Sequence, residues 1–193
     1  MRSLSLVVAA AALVLGSATA FAQAKPAVHY GSPISEADIA AWDIDIRGPD
    51  GKGLPAGKGS VAEGEKIFAT QCIECHGEKA KGGSMYGPMV GGIGSFTTDK
   101  RMLTPGSMYP YAPILFDYTR RAMPMTAPQS LSNNEVYALA AYILHLNGLV
   151  PADAVMDAAS LAKVEMPNKN GFVVDNRPDT KATRCMKDCP PIK

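Results

Sequence analysis

The sequence predicts an all-α fold of three main helices, flanked by a long irregular N-terminal arm and a C-terminal tail. Two capping boxes, Ser60-x-x-Glu63 and Ser132-x-x-Glu135, each precede apolar residues at helical spacing. Glycine and proline are frequent, at 18 and 15 of 193 residues, and they cluster mainly between and beyond these segments. This distribution favours a small helical core with long, turn-rich connections.

Residues 1–22 have the pattern of a secretory signal peptide. Arg2 supplies the positive n-region, an apolar run extends from Leu4 to Leu15, and the segment ending at Ala22 fits the small-x-small cleavage rule. The run is short for a bilayer span, which needs about 20 apolar residues. We therefore expect cleavage near Ala22 and an exported, soluble mature protein with no membrane span.

The net charge limits the classes of partner. Lys and Arg total 19 and Asp and Glu total 18, so the formal charge is +1. A value this close to zero argues against nucleic acid or acidic membrane surfaces as partners.

Residues 23–59 form the predicted arm. A short helix is expected from Ser35 to Trp42, with Ser35 as its N-cap, and repeated Gly and Pro residues follow it. The tail, residues 150–193, is longer than the arm and has no persistent hydrophobic period. A tail of this length needs a surface of its own domain or of a partner to lie on.

The central domain, residues 60–149, is predicted to be a succession of helices and loops. The first helix follows Ser60 and leads to two cysteines, and a Gly- and Pro-rich loop spans 77–112. A second helix over 112–122 stops before Pro124. The last helix follows Ser132 and ends near Gly148, which suits the C′ position.

The chemistry of the domain is indicated by Cys72-Ile73-Glu74-Cys75-His76, a Cys-x-x-Cys-His motif. Two cysteines three apart on one helical turn can form thioethers with both vinyl groups of a haem, and the adjacent histidine then supplies an axial bond to iron. A zinc or redox Cys-x-x-Cys would require a second cysteine pair or a thioredoxin-like βαβ context, and neither is present. One motif predicts one covalent haem c.

Together with the Cys-x-x-Cys-His motif, three further motifs resemble the class I cytochromes c. Gly64, Phe68 and Cys72 match the N-terminal helix of that family, the stretch Leu139–Tyr142 matches its opposing Leu-x-x-Tyr, and the stretch Gly87–Gly91 is similar to Gly-Pro-x-Leu-x-Gly. The resemblance spans about 60–148. It implies three helices around the haem, and a carbonyl of Pro88 that accepts a hydrogen bond from Nδ1 of His76.

The same resemblance implies the sixth ligand of the iron. Class I members place it in a loop just before the last helix, commonly as Met-Pro, and Met123-Pro124-Met125 stands there. Met123 is the predicted ligand because it precedes the proline, and Met125 is the second candidate. The other candidates offered by the sequence are Met85, Met89, Met102, Met108 and His145. Ligation by Met and His fills both axial sites, which indicates electron transfer rather than sensing or peroxidase chemistry.

The flanks resemble a narrower family, the cytochrome c subunit of periplasmic Sox-type sulfite and sulfur dehydrogenases. The stretches that carry the likeness lie over roughly 30–190 and include the terminal "NRPDTKATRCMKDC". The resemblance implies a periplasmic electron-transfer subunit that is not itself the catalytic subunit. Its implied partners are a molybdenum-cofactor subunit of the sulfite-oxidase type, as donor, and a soluble cytochrome c, as acceptor. A free electron carrier, or the haem subunit of another periplasmic dehydrogenase, is the alternative.

The C-terminal cysteine pair and an aromatic stretch that leads into the second helix each have two possible interpretations. Cys185 and Cys189 are predicted to form a local disulfide, because the compartment is oxidising and the spacing is compatible with bridging, while free or redox-active thiols are the alternative. The aromatic stretch 108–118, "MYPYAPILFDY", is interpreted as the wall of the haem pocket or as a partner surface.

Overall fold

The structure, a computed structural model, describes residues 31–40 and 42–175. The chain divides into two compact units, residues 1–43 and 44–193. In the first unit, helix α1 (Glu36–Ala40) follows Ser35, whose Oγ accepts a hydrogen bond from the backbone nitrogen of Asp38 at 3.2 Å. The predicted helix and its cap are confirmed there. The signal-peptide segment and the Cys185–Cys189 pair lie outside the described residues.

The described part of the second unit is mostly helical. Its elements in chain order are β1 (Lys58–Ser60), α2 (Val61–Gln71), α3 (Ile73–His76), a 3-10 turn (Glu78–Ala80), α4 (Pro105–Met108), α5 (Pro113–Ala122), α6 (Asn133–Leu146), β2 (Val155–Asp157) and α7 (Ala158–Ala162). The three longest helices, α2, α5 and α6, are the three that the sequence predicts. Among the residues described, no helix combines the length and the apolar character needed to cross a membrane.

Both predicted capping boxes form. The backbone nitrogen of Ser60 donates to Glu63 at 2.8 Å, and that of Ser132 donates to Glu135 at the same distance. At its other end α6 closes with the backbone nitrogen of Leu149 donating to the carbonyl oxygen of Leu144 at 3.0 Å. Gly148 permits this closure because its φ is +72°, a conformation that residues with a Cβ adopt at a cost.

Helices α2 and α6 cross in direct contact at Gly64. A Cβ on Gly64 would lie only 1.9 Å from the carbonyl oxygen of Ala138 and 2.8 Å from Cβ of Tyr142. One turn further along, the rings of Phe68 and Tyr142 pack with centroids 5.5 Å apart. The predicted pairing of the Gly-x-x-x-aromatic motif with the last helix is confirmed, and it fixes the position of the cysteines at the end of α2.

The all-α prediction needs one correction, because the described residues also contain a small antiparallel sheet. Strand β1 pairs with β2 in the register Lys58 with Asp157 and Ser60 with Val155. Helix α7 follows at once, and its Leu161 is fully buried in the core, as is Met166 beyond it. Residues 155–162 thus have regular structure where the sequence shows no period, since a three-residue strand and a five-residue helix are too short to show one.

The segment before β1 also packs on the core. The hydroxyl of Tyr137, in α6, donates to the carbonyl oxygen of Pro55 at 2.8 Å. The ring of Tyr137 packs on Phe116 of α5 with centroids 4.4 Å apart, and both side chains are fully buried. Part of the predicted arm therefore covers the face that α5 and α6 share, although the domain bounds remain a prediction.

Candidate functional site

The two cysteines and the histidine lie where α2 ends and α3 begins. The backbone nitrogen of Cys72 still donates to the carbonyl oxygen of Phe68 at 3.0 Å, and that of His76 donates to the carbonyl oxygen of Cys72 at 3.0 Å. One helical turn therefore carries all three side chains. Both thiols are free.

These three residues line a cavity of about 310 Å³ between α2, α5, α6 and the loop that follows α5. The volume is within the range of small-molecule and cofactor sites. Helices α5 and α6 supply an apolar wall that includes Leu115, Leu139 and Ile143. The cavity thus combines an apolar interior with a few chemically specific groups at one side.

The predicted sixth ligand lies in the same cavity. Met123 and Met125 both line it, together with Met85 and Met89, whereas Met102 and Met108 are absent from its wall. His145 is elsewhere, and its Nδ1 lies 3.1 Å from the carbonyl oxygen of Val150. The geometry therefore brings Cys72, Cys75, His76 and Met123 together around one space. Which methionine binds iron stays a prediction.

The end of α5 is held in place by Arg121, two residues before Met123. Nε of Arg121 donates to Asp117 at 2.7 Å, and its terminal nitrogen donates to the carbonyl oxygen of Ile44 at 2.9 Å and to Asp45 at 2.8 Å. The hydrogen bond and charge of Asp117, followed by those of Asp45, raise the pKa of the guanidinium. Sequence reasoning missed this anchor because Asp45 is 76 residues away and has no local signal.

The loop that contains Pro88 is fixed by a buried amide that the sequence analysis also missed. Asn147, the residue after α6, donates through Nδ2 to the carbonyl oxygen of Met89 at 3.1 Å and accepts through Oδ1 from the backbone nitrogen of Gly91 at 3.1 Å. The carbonyl oxygen of Gly91 in turn accepts a hydrogen bond from the hydroxyl of Thr104 at 2.7 Å. Residues at the end of α6 and just before α4 therefore hold this loop in place.

His76 has the properties of an axial ligand. Its Nδ1 is buried and, among the described residues, it is the one buried side-chain nitrogen or oxygen without a hydrogen-bond partner. The predicted hydrogen bond to Pro88 is thus not made in this structure and stays a prediction. Pro88 is nevertheless close, since a Cβ on Gly82 would lie 3.1 Å from its nitrogen, and the backbone nitrogen of Gly82 donates to the carbonyl oxygen of His76 at 2.9 Å.

Burial sets the protonation states of these side chains. It lowers the pKa of His76, which favours the neutral imidazole that can bind a metal. Burial, and then the neighbouring Cys75, raise the pKa of Cys72 to about 11. Cys72 is therefore a protonated thiol at neutral pH.

Aromatic side chains contribute unequally to the cavity. Tyr86 lines it, and its ring stacks on that of His76 with centroids 5.5 Å apart and planes at 29°. From the aromatic stretch 108–118, Leu115 lines the cavity but Tyr109, Tyr111 and Tyr118 do not. Those three tyrosines therefore lie outside the pocket wall.

The residues present fit a covalent haem c. A cysteine pair and a histidine on one turn, an apolar cavity beside them, a methionine loop lining the same space and an unpartnered buried Nδ1 are the features that this group requires. Thioether formation would consume the two free thiols, and axial bonding would use the neutral imidazole.

Comparison with known proteins agrees with the geometry. The family model "Cytochrome c" matches residues 61–147. Cytochrome c from Chlamydomonas reinhardtii is 49% identical over 35 residues, which is 18% of this chain and 31% of that protein. The aligned stretch thus spans about a third of the curated relative.

A solved structure extends the likeness over most of the chain. The crystal structure of the sulfane dehydrogenase SoxCD from Paracoccus pantotrophus contains a chain that is 37% identical, with a TM-score of 0.72. The match covers 88% of this chain and 84% of that chain. The chain described here belongs to the cytochrome c family, whose members carry covalently bound haem c, and it has a Sox-type relative.

Proposed function

We propose that this protein is the single-haem electron-transfer subunit of a periplasmic sulfur dehydrogenase. It accepts electrons from a molybdenum-cofactor subunit that oxidises sulfite or sulfane sulfur, and it passes them to a soluble cytochrome c. The observation that carries the proposal is the likeness to the SoxCD chain, which covers 88% of this chain. That share is about twice the 61–147 segment of the general family, so the flanks resemble the sulfane dehydrogenase chain as well.

The residues of the cavity suit an electron relay. Haem iron changes between the ferric and ferrous states and so carries one electron at a time. Cys72 and Cys75 would attach the group, and His76, kept neutral by burial, and Met123 would supply its two protein ligands to iron. Ligation by two protein side chains would leave no position for oxygen or peroxide, and the soft thioether would raise the reduction potential.

The apolar wall has its own role in this function. Leu115, Leu139 and Ile143 give the cavity an apolar wall, and Arg121 and Asn147 hold the two loops that bear Met123 and Pro88. Side chains fixed in this way need little rearrangement when the charge of the iron changes. A site that rearranges little favours rapid electron exchange over substrate chemistry.

The electron count requires an acceptor. Oxidation of sulfite or sulfane sulfur at molybdenum releases electrons in pairs, whereas one haem takes one. The two electrons must therefore pass through this subunit one after the other, and each must leave before the next arrives. A one-electron acceptor such as a soluble cytochrome c meets that need.

Assembly is tested by co-expressing the haem-loaded chain with a sulfite-oxidase-type molybdenum subunit from the same genome. Size-exclusion chromatography with iron and molybdenum analysis should show one peak containing both metals. Elution of this chain as a monomer that carries haem but never molybdenum would contradict the proposal. It would favour the alternative of a free periplasmic carrier or a subunit of another dehydrogenase.

A further inference from the structure

Tyr86 contacts both segments that bear the proposed axial ligands, helix α3 with His76 and the loop after α5 with Met123. Its hydroxyl donates a hydrogen bond to Sδ of Met125 at 3.0 Å, while its ring stacks on His76 with centroids 5.5 Å apart. Both Tyr86 and Met125 line the cavity and are partly exposed, at 37% and 53%, so they lie at its open side. One side chain therefore contacts the histidine of α3 and a methionine of the loop after α5.

This contact bears on a problem built into the sequence Met123-Pro124-Met125. Two thioethers of the same softness lie two residues apart and line the same cavity. An iron offered both could bind either, and a mixture of ligands would give a mixture of reduction potentials. Among the described residues, Sδ of Met125 has a hydrogen-bond donor and Sδ of Met123 has none.

We propose that Tyr86 is a positioning residue that selects the axial ligand: its hydroxyl holds the Met125 thioether at the mouth of the cavity and leaves Met123 to bind the iron. The inference rests on the proposed haem function. The hydrogen bond engages a lone pair of the Met125 sulfur, which iron would otherwise use. Because the Tyr86 ring packs on His76, the same side chain also fixes the distance between α3 and the loop that bears Met123 and Met125.

The test uses the haem-loaded full chain and proton NMR of its ferrous state, in which the methyl group of an iron-bound methionine is shifted far upfield by the haem ring. The wild-type protein should show one such methyl signal. Tyr86→Phe retains the ring and removes the hydroxyl. Loss of one hydrogen bond changes the ratio of the two ligation states by about fivefold, so a second shifted methyl signal should appear.

The double variant Tyr86→Phe with Met125→Leu identifies the source of that second signal. Removing the competing thioether should restore a single methyl signal at the wild-type position. Tyr118→Phe is the matched control, because Tyr118 is 53% exposed on α5 and lies outside the cavity wall. It should leave the spectrum unchanged.

A parallel measurement tests how firmly the ligand is held. Imidazole displaces methionine from ferric haem, so its affinity reports the stability of the native ligation. It should decrease slightly in Tyr86→Phe, because the released Met125 thioether also competes with imidazole for the iron, and remain unchanged in Tyr118→Phe.

The outcomes separate the two claims. A wild-type protein without any upfield methionine signal would contradict the ligation in the proposed function. A normal wild-type signal, with Tyr86→Phe identical to it in both NMR and imidazole affinity, would overturn the role of Tyr86 alone. So would a second signal that persists in the double variant, because Met125 would not be its source.

Discussion

Nδ2 of Asn147 lies 3.1 Å from the carbonyl oxygen of Met89, so the end of α6 holds the loop in which Pro88 stands. The amide is almost fully buried, with 9% of Asn147 exposed, and it makes a further hydrogen bond to the carbonyl oxygen of Ile143 at 2.9 Å. The helix that packs on α2 therefore also determines how close Pro88 comes to His76. Asn147 thus contributes both to the stability of the fold and to the proposed control of the reduction potential.

Replacing Asn147 by Ala should lower the stability and shift the reduction potential together. The loop loses its anchor, and unpaired buried carbonyl and amide groups cost about 2 kcal/mol. If the loosened loop keeps Pro88 from accepting the predicted hydrogen bond from Nδ1 of His76, the imidazole is a weaker donor and ferric iron is less favoured. The potential should rise by about 30 mV, roughly a threefold change in a one-electron equilibrium, in a spectroelectrochemical titration.

Asn168 provides the matched control for this substitution. It is equally buried, at 8% exposed, and its Nδ2 donates to the carbonyl oxygen of Met108 at 2.8 Å, but it does not line the cavity. Asn168→Ala should destabilise the fold with no change in potential. Equal potential shifts in the two variants would show that loosening the fold, rather than the Pro88 loop, is responsible.

The choice of axial ligand is tested by Met123→Leu and Met125→Leu. Ferric haem with a bound methionine has a weak charge-transfer band in the far red. Met123→Leu should abolish that band and lower the reduction potential, because the thioether that favours ferrous iron is lost. Met125→Leu should retain the band. The opposite pattern would assign the ligand to Met125.

Gly64→Ala should destabilise the fold strongly. The added methyl group would meet the backbone carbonyl of Ala138 at 1.9 Å, and a backbone atom cannot move aside as a flexible side chain can. Overpacking of this kind costs about 1–3 kcal/mol or more, which outweighs the gain of about 1 kcal/mol in helix propensity. Urea unfolding should show a net loss, whereas Glu65→Ala, at an exposed position of α2, should have little effect. Unchanged stability in Gly64→Ala would exclude the close crossing of α2 and α6.

Tyr137 should contribute to the free energy of unfolding at neutral pH and lose that contribution in alkali. Burial, and then the charge of Asp157, raise its pKa to about 12, above the ordinary value of about 10. The folded state therefore favours the protonated phenol, so this contribution is complete below pH 10 and is lost as the pH rises from about 10 to about 12.

The difference in unfolding free energy between the wild type and Tyr137→Phe isolates this component. It should be constant at about 1 kcal/mol below pH 10, because the hydrogen bond to Pro55 is lost in the variant, and it should fall at higher pH. A difference that stays flat up to pH 12 would show that the phenol is not held in its protonated form.

Local patterns predicted much of this fold. The capping boxes at Ser60 and Ser132 are fixed by residues three apart, and both form. The Cys-x-x-Cys-His motif likewise placed its three side chains on one turn. Such features are readable because their partners are neighbours in sequence.

Contacts between distant segments could not be read in this way. Asn147 meets Met89 across 58 residues, and Tyr86 meets Met125 across 39. Asparagine, tyrosine and methionine are ordinary surface or core residues until the fold brings their partners together. The short β-sheet escaped prediction for the same reason, since its two strands are far apart in sequence and only three residues long.

Electron transfer from a molybdenum sulfur dehydrogenase subunit to this haem can be followed directly by anaerobic stopped-flow spectroscopy. Ferric, haem-loaded protein is mixed with the molybdenum subunit and either sulfite or a protein-bound sulfane sulfur, and the absorbance of ferrous haem is followed. Reduction should be rapid and should require both the subunit and one of the sulfur substrates, and reoxidation should follow when a soluble ferric cytochrome c is added. Haem that stays ferric while the subunit reduces an artificial one-electron acceptor would contradict the proposed function.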